Sequence, residues 1–440
     1  MVLEKNNTLP NGWKTVEIKD LFLNPKQDIV DGPFGSNLKA SEYVEKGIPL
    51  IRLQNVDRNL FIDKNIRYIS EEKAEQLKRH DFISNDIVIT KLGVPVGKAC
   101  LVPGYLKNGI IVADIIRMRL NHDLISKKYL VYIINSDEVI RQFAKHTKGT
   151  TRPRVNLGQI RNFLISLPPL NEQKRIVSKI EELFSQNENT IKSLKNIKFK
   201  LKEYRSSILE AAFIGKLVPN DSSHESSTKR WCIQSRPLED ENLPQIPSNW
   251  CYRKLRELSE RVSVGYVGPT TQYYCDKTIG IPFLRSQNIR PARINFEGIR
   301  YITKEFHHKL RKSQLLEGDL VIVRVGANRG DTCIIPSDIG QVNCANVVFA
   351  RLFKGISEYL NYYFQSRICQ NTLSSMTTGS AQGVINTKSV AEVPVPIPPL
   401  SEQEKIVTKI EEVFSVINHL EQSIDEAIGK SKKMNKLILS

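Results

Sequence analysis

The sequence predicts a mixed α/β chain of the α+β class, made as a pseudo-two-fold symmetric tandem repeat. Two globular heads are joined by two long helices that pair as an antiparallel coiled coil. Three observations predict this: the chain matches itself along nearly its whole length, each copy is strand-rich and then proline-free and helical, and the two helical stretches carry nearly the same apolar seam.

The repeat sets the domain limits. LPNGWKTVEIKDLF at Leu9 matches IPSNWCYRKLRELS at Ile246, and IRYIS at Ile66 matches IRYIT at Ile299. GIPLIRLQNV at Gly47 matches GIPFLRSQNI at Gly280 with six of ten positions identical. SNDIVITKLGVPVGKACLVP at Ser84 matches EGDLVIVRVGANRGDTCIIP at Glu317. PPLNEQKRIVSKIEELFS at Pro168 and PPLSEQEKIVTKIEEVFS at Pro398 share 13 of 18 positions. The expected parts are a first head over 9–168, a central helix over 169–214, a linker over 215–245, a second head over 246–398 and a last helix over 399–440.

Within each head, β-branched runs such as Ile87–Val88–Ile89 and Val321–Ile322–Val323 read as strands, punctuated by Gly, Pro and Asn. A short helix is expected near Tyr129–Lys145 and its counterpart near Tyr359–Leu373. Proline is tolerated at a helix entry and not inside, so Pro168–Pro169 and Pro398–Pro399 mark the long helices' starts. The expected seam of the first runs through Ile176, Ile180, Leu183, Ile191, Leu194, Ile197, Leu201, Tyr204 and Ile208. That of the second runs through Ile406, Ile410, Val413, Ile417, Leu420 and Ile424, then weakens before Met434 and Ile438. Ile176, Ile180, Leu183, Ile406, Ile410 and Val413 are the candidates for helix pairing and partner docking. About 40 residues at 1.5 Å rise span roughly 60 Å, too long to lie buried in one small domain. The linker, with PNDSSHESSTKR, is polar and expected to be flexible.

Composition narrows the function. No run of ~18 apolar residues suggests a membrane span, and the start lacks a signal-peptide pattern. Seven scattered cysteines with no CxxC spacing argue for a reducing cytoplasm and against a zinc cluster. The formal charge is +17, and its excess is local: residues 101–200 hold 18 basic and 8 acidic side chains, residues 251–400 hold 19 and 11, and residues 1–100 are nearly balanced at 15 and 14. Such a surplus is the footprint of a phosphate-backbone partner.

No catalytic constellation emerges. GVPVGK at Gly93 is one residue short of a phosphate loop, and Ala99 stands where a magnesium-holding Ser or Thr belongs. Asp86 and Lys91 lack the second acid of a nuclease site, so Asp86 and Asp319 read as turn residues opening strands. The seven histidines show no metal spacing, and His307–His308 reads as solvated helix surface. Cys100 and Cys333 match across the copies on apolar strands and read as core.

DNA contacts are expected in loops. Arg141–Arg161 holds six Lys or Arg and no acid, centred on KGTTRPR. Two heads reading different sequences should share scaffold and phosphate contacts and differ at base contacts. Shared Lys91 and Arg324 are assigned to phosphates; the shared Arg52/Arg285, Gln54/Gln287 and Asn55/Asn288 fit internal hydrogen bonding and backbone contact equally well. In the first head the differing loops give Phe34, Ser36, Asn37, Lys39, Lys98, Lys148, Thr150, Thr151, Arg152 and Arg154. In the second they give Tyr266, Thr270, Thr271, Gln272, Asn328, Arg329, Thr378, Ser380 and Gln382. Arginine suits guanine, and glutamine suits adenine.

The order head, PPLxEQxxIVxKIEExFS, long helix, polar linker and then the same again resembles the specificity subunit of type I restriction-modification systems. DGPFGSNLK at Asp31, the GIPLIRLQNV block and SILEAAFIGKLV at Ser207 are similar to segments of that family, and the resemblance covers essentially the whole chain. In the second copy VGYVGPTTQ at Val264 keeps only the glycines of DGPFGSNLK, at 32/265 and 35/268, so the same contacts are not expected there. The resemblance implies two target-recognition domains, each reading half of a bipartite double-stranded DNA target. It implies spacer helices that dock two modification (methyltransferase) subunits, with restriction/translocase subunits joining the full assembly. It places S-adenosylmethionine and ATP/Mg on those partners alone, leaving this chain without cofactor or catalysis in a prokaryotic cytoplasm. The strongly matching PPLxEQ segments and helices are expected to be docking and spacing structure. The rival expectations are a coiled-coil adaptor and a DNA-acting enzyme with an unrecognised site.

Overall fold

The computed structural model describes residues 9–34, 37–120, 124–147, 153–219, 238, 242–376 and 383–438. It forms two compact units, one of residues 1–194 with 426–440 and the other of residues 195–425. Each unit thus holds one head with part of each long helix.

In the first unit the central sheet is antiparallel, in the order Ile29–Asp31, Ile115–Met118, Ile87–Thr90, Ala99–Leu101. All four residues of Ile87–Thr90 are buried. Ile87 and Ile89 enter a core shared with the helices, whereas Val88 enters a second core with Phe82, Cys100 and Val102. The sheet is covered on both faces, which is why its apolar run is continuous rather than alternating. A second sheet runs Arg67–Ile69, Ile48–Ile51, Asn108–Ile111, Asp81–Ile83. Lys14–Glu17 pairs with Leu164–Leu167, joining the head's two ends and delivering the chain to Pro168.

The second unit repeats this. Its central sheet runs Ser259–Val264, Val347–Leu352, Leu320–Val323, Thr332–Ile334, and Cys251–Lys254 pairs with Pro394–Ile397. Leu320 and Ile322 face the helical core, and Val321 and Val323 face the other. The single helix expected in each head is two: Lys127–Ile134 and Asp137–His146, then Ser357–Tyr363 and Arg367–Ser375. In the second head the break is a capping event, with Ser366 Oγ accepting from the Cys369 N–H at 3.3 Å.

Asp86 and Asp319 close turns, accepting from the Ile83 and Leu316 N–H groups at 2.8 Å each. Both also grip an arginine through two oxygens: Asp86 with Arg119, and Asp319 with Arg351. His307 corrects the expectation of a solvated pair: it is buried, its Nδ1 3.4 Å from Asn343 Nδ2. Burial, and then His308, hold its pKa below the ordinary value. Cys100 and Cys333 are core residues whose thiols burial pushes up to about 12.

The long helices are Leu170–Phe213 and Leu400–Leu437. The shared glutamine of PPLxEQ is buried in both copies and turns back on the prolines: Gln173 Nε2 donates to the Pro168 carbonyl and Gln403 Nε2 to that of Pro398, each at 2.9 Å. Gln173 Oε1 also accepts from the Ser126 N–H at 2.8 Å. In the first copy this glutamine is therefore a clasp fixing the helix to its own head, and in both it is buried, so the docking role expected for the motif does not extend to it.

The seam departs from the apolar list. In the second unit Ile410, Phe414, Ile417, Glu421 and Ile424 advance by alternating fours and threes and are all at least partly buried. Opposite them lie Lys198, Leu201, Arg205 and Ile208. Lys198 Nζ meets Asp425 Oδ1 at 2.7 Å, Arg205 meets Glu421 at 3.4 Å, and Arg205 lies 4.7 Å over the Phe414 ring. One number rises as the other falls, so the pairing is antiparallel. In the first unit Asn187 Nδ2 donates to the Ser431 carbonyl at 2.7 Å and to Asn435 Oδ1 at 2.6 Å. Half-buried seam positions are thus also held by Lys198, Arg205 and Asn187, which bond across to the other helix. Leu183, Ile197, Tyr204 and Leu420, expected in the seam, are exposed beside it. Ile180 and Val413 are half-buried. Ile176 is half-buried and packs on the first head's core, whereas Ile406 and Ile410 are wholly buried in the second head's core and so are not surfaces for another chain.

Candidate nucleic-acid interface

In the first head four segments converge at the rim of the central sheet. Strand Ile29–Asp31 runs on into Gly32, whose N–H donates to the Ile115 carbonyl at 3.0 Å. A Cβ at Gly32 would lie 2.1 Å from the Val112 backbone, so only glycine permits the crossing; Gly265 faces Cys344 in the same way. Lys91 Nζ meets Asp31 Oδ2 at 2.6 Å, while its backbone N–H donates to Asp114 and its carbonyl accepts from Val155. Arg154 Nη2 meets Asp114 Oδ1 at 2.7 Å, and Leu92 bridges to Arg154. The loop after Asp31, the hairpin loop after Lys91, the Asp114 turn and Pro153–Val155 are thereby stapled together. Phe34 and Val94 project from this rim, 82% and 87% exposed.

The other candidates divide. Asn37 and Lys39 are exposed on the turn after Phe34, which closes through the Asn37 N–H to the Phe34 carbonyl at 2.8 Å. Lys98 turns to Asp57 at 3.0 Å, on the hairpin beside the sheet. Ser36, Lys148, Thr150, Thr151 and Arg152 lie outside the described residues, as do Thr378, Ser380 and Gln382 of the second head.

The second head gathers the matching segments. Tyr266 N–H donates to the Cys344 carbonyl, Ile385 N–H to that of Arg324, and Arg329 Nη1 to that of Gly383 at 2.7 Å. Arg329 is exposed and Asn328 half-buried. Tyr266 is half-buried and packs edge-on against Phe306 at 5.3 Å. Thr270, Thr271 and Gln272 form a turn tied elsewhere: Tyr273 stacks on Phe306 at 3.7 Å, and Thr270 Oγ1 lies 2.6 Å from the Tyr274 hydroxyl. Thr271 and Gln272 are exposed on it. Of the shared Arg–x–Gln–Asn set, the arginines and asparagines bond to nearby loops, whereas Gln54 and Gln287 are exposed. Asn55 and Asn288 are fully buried, and each accepts from its preceding arginine's N–H and donates to a loop carbonyl.

A basic pocket of about 490 Å³ in the first head escapes the sequence reading, lined by Lys26, Lys78, Arg79 and Arg117 with Asp81. Arg117 is buried, its Nε has no hydrogen-bond partner, and burial and then Arg119 lower its pKa. The run Lys78–Arg79–His80 was the one sequence sign of it. Among the described residues no group of three or more His, Cys, Asp and Glu could hold a metal ion, and no helix is long and apolar enough to cross a membrane.

A twice-built frame with unlike rims defines a tandem recognition chain, and comparison with known proteins gives its family. The type I restriction modification DNA specificity domain matches residues 10–198 and again residues 247–430. The chain belongs to this family of specificity subunits. It is 24% identical over 436 residues to the type I restriction enzyme EcoBI specificity subunit of Escherichia coli, covering 97% of this chain and 86% of that one. To the EcoKI specificity subunit of Escherichia coli strain K12 it is 22% identical, covering 98% and 88%. Its fold is that of solved relatives: a chain of a type I R-M system (TM-score 0.63, 18% identity, 98% and 97% covered) and the HsdS subunit of Thermoanaerobacter tengcongensis (TM-score 0.59, 20% identity, 99% and 97% covered).

Proposed function

We propose that each head reads one half of a bipartite double-stranded DNA target, that the paired helices set the spacing, and that the chain docks two modification subunits and, in the full assembly, restriction/translocase subunits. The observation that carries this is the pair of heads with one sheet frame and unlike side chains at the same rim. A common frame with different exposed groups is what two different half-sites require, since base edges are told apart by the groups facing them. In the first head Arg154 is the guanine reader, pre-oriented by Asp114, while Phe34 and Val94 offer apolar contact to thymine methyls. Lys26, Lys78 and Arg79 suit flanking phosphates. In the second head Thr271, Gln272 and Arg329 are the exposed candidates, with Asn328 half-buried beside Arg329. S-adenosylmethionine, ATP and Mg belong to the partners, and the complex works in a prokaryotic cytoplasm.

The test is reconstitution of the full chain with its modification subunits and mapping of methylated adenines. One interrupted two-part motif is expected, with no methyl transfer by the chain alone and with DNA binding that weakens steeply with salt. A continuous motif, or methyl transfer by the isolated chain, contradicts the reading.

A further inference from the structure

We propose that Arg324 is a DNA-gripping residue of the second head, and that Lys91, its counterpart, has been withdrawn from DNA in the first head to position the reading loop. This deepens the DNA-recognition reading and rests on it. The two residues are equivalent by geometry. Each directly follows the central strand, Ile87–Thr90 or Leu320–Val323, and each carbonyl accepts a hydrogen bond from the last rim segment, at Val155 or Ile385. Their electrostatic surroundings are opposite. Lys91 is tied to Asp31 at 2.6 Å with its side chain only 12% exposed. Asp31 pairs with Ile116 across the sheet; the residue in that register in the second head is Val264, opposite Val348.

The neighbouring pair is lost as well. Asp114–Arg154 gives way to Asn346, on a turn one residue shorter, and to Val384. Arg324 is left half-buried with no acidic partner among the described residues, and its Nε is buried without a hydrogen-bond partner. A cation that gives up water without a countercharge is unfavourable in the free protein. An arriving pair of acceptors, a phosphate or a guanine edge, offsets that cost, and the planar guanidinium fork engages both at once.

The test uses the full chain with its modification subunits, on DNA carrying the mapped motif. Arg324→Ala should weaken binding about 10- to 100-fold, as expected for losing a charge-assisted bidentate contact. Val264→Asp, which restores the first head's acid beside Arg324, should weaken binding in the same direction while leaving thermal unfolding intact. Lys91→Met should reduce base discrimination in the first half-site without changing the salt slope. A uniform loss with the slope reduced by about one for Arg324→Ala assigns a phosphate, and relaxed discrimination at one base of the second half-site assigns guanine. Unchanged affinity in both Arg324→Ala and Val264→Asp, or a reduced salt slope in Lys91→Met, overturns the proposal. If the wild-type complex itself ignores the motif DNA, the DNA-recognition reading fails instead.

Discussion

Asp319 is almost wholly covered and holds Arg351 Nε and Nη2 at 3.1 and 2.9 Å, as Asp86 holds Arg119 in the first head. Removing one member of such a pair strands a buried charge, so Arg351→Ala should cost about 3 kcal/mol, seen as a lower denaturant midpoint. His307 supplies a pH dependence. Its pKa is lowered, so the unfolded chain takes up a proton first as the pH falls; its contribution is present above about pH 6.5 and lost as acid carries it through the folded value. Stability followed by urea titration should therefore drop toward pH 5, and His307→Gln should flatten the drop. Ala292 holds a left-handed φ of 60°, where the first head has Asn59 bonded to Asn135. Ala292→Gly should stabilise by about 0.5–1 kcal/mol, and a lower melting temperature would show the strain argument to be wrong. At this scale the matched cysteines were legible, because position on an apolar strand implies burial. His307 was not, since a His–His pair on a six-residue helix gives no period from which to tell its inner face.

The helices show what a pattern carries and what it hides. The double prolines placed both starts, because proline's missing N–H costs nothing at the first turn. The seam was only partly legible: apolar identity picked Ile417 correctly but also Ile197, while Lys198 and Arg205 occupy seam positions through cross-helix ion pairing and a cation–ring contact. Ile417→Ala should cost about 3 kcal/mol through the cavity it leaves, whereas Ile197→Ala should stay within about 0.5 kcal/mol. Equal losses would contradict the register. Because the pairing is antiparallel, a one-heptad deletion must be made in both helices to keep it. The proposed ruler then predicts half-sites about three base pairs closer, from roughly 10 Å of lost helix, and unchanged spacing in the methylation map would refute it.

Across the whole molecule the duplication was legible from end to end, since an identity pattern needs no structure to be seen. Less legible was what the matching parts do. SILEAAFIGKLV is similar to a family segment, yet its Leu209, Ala212 and Phe213 are core residues of the second head, with Phe213 edge-on to Tyr359 and Tyr363. Nor could the sequence say that two shared basic positions differ in availability, because the acid that neutralises Lys91 is 60 residues away and meets it only through strand register. The central claim is that the two heads read independently. Its most direct measurement is the adenine-methylation motif made by the reconstituted complex with Phe34→Ala and Arg154→Ala in the first head. The account predicts relaxed discrimination in one half of the motif and an unchanged other half; equal relaxation of both halves would contradict it.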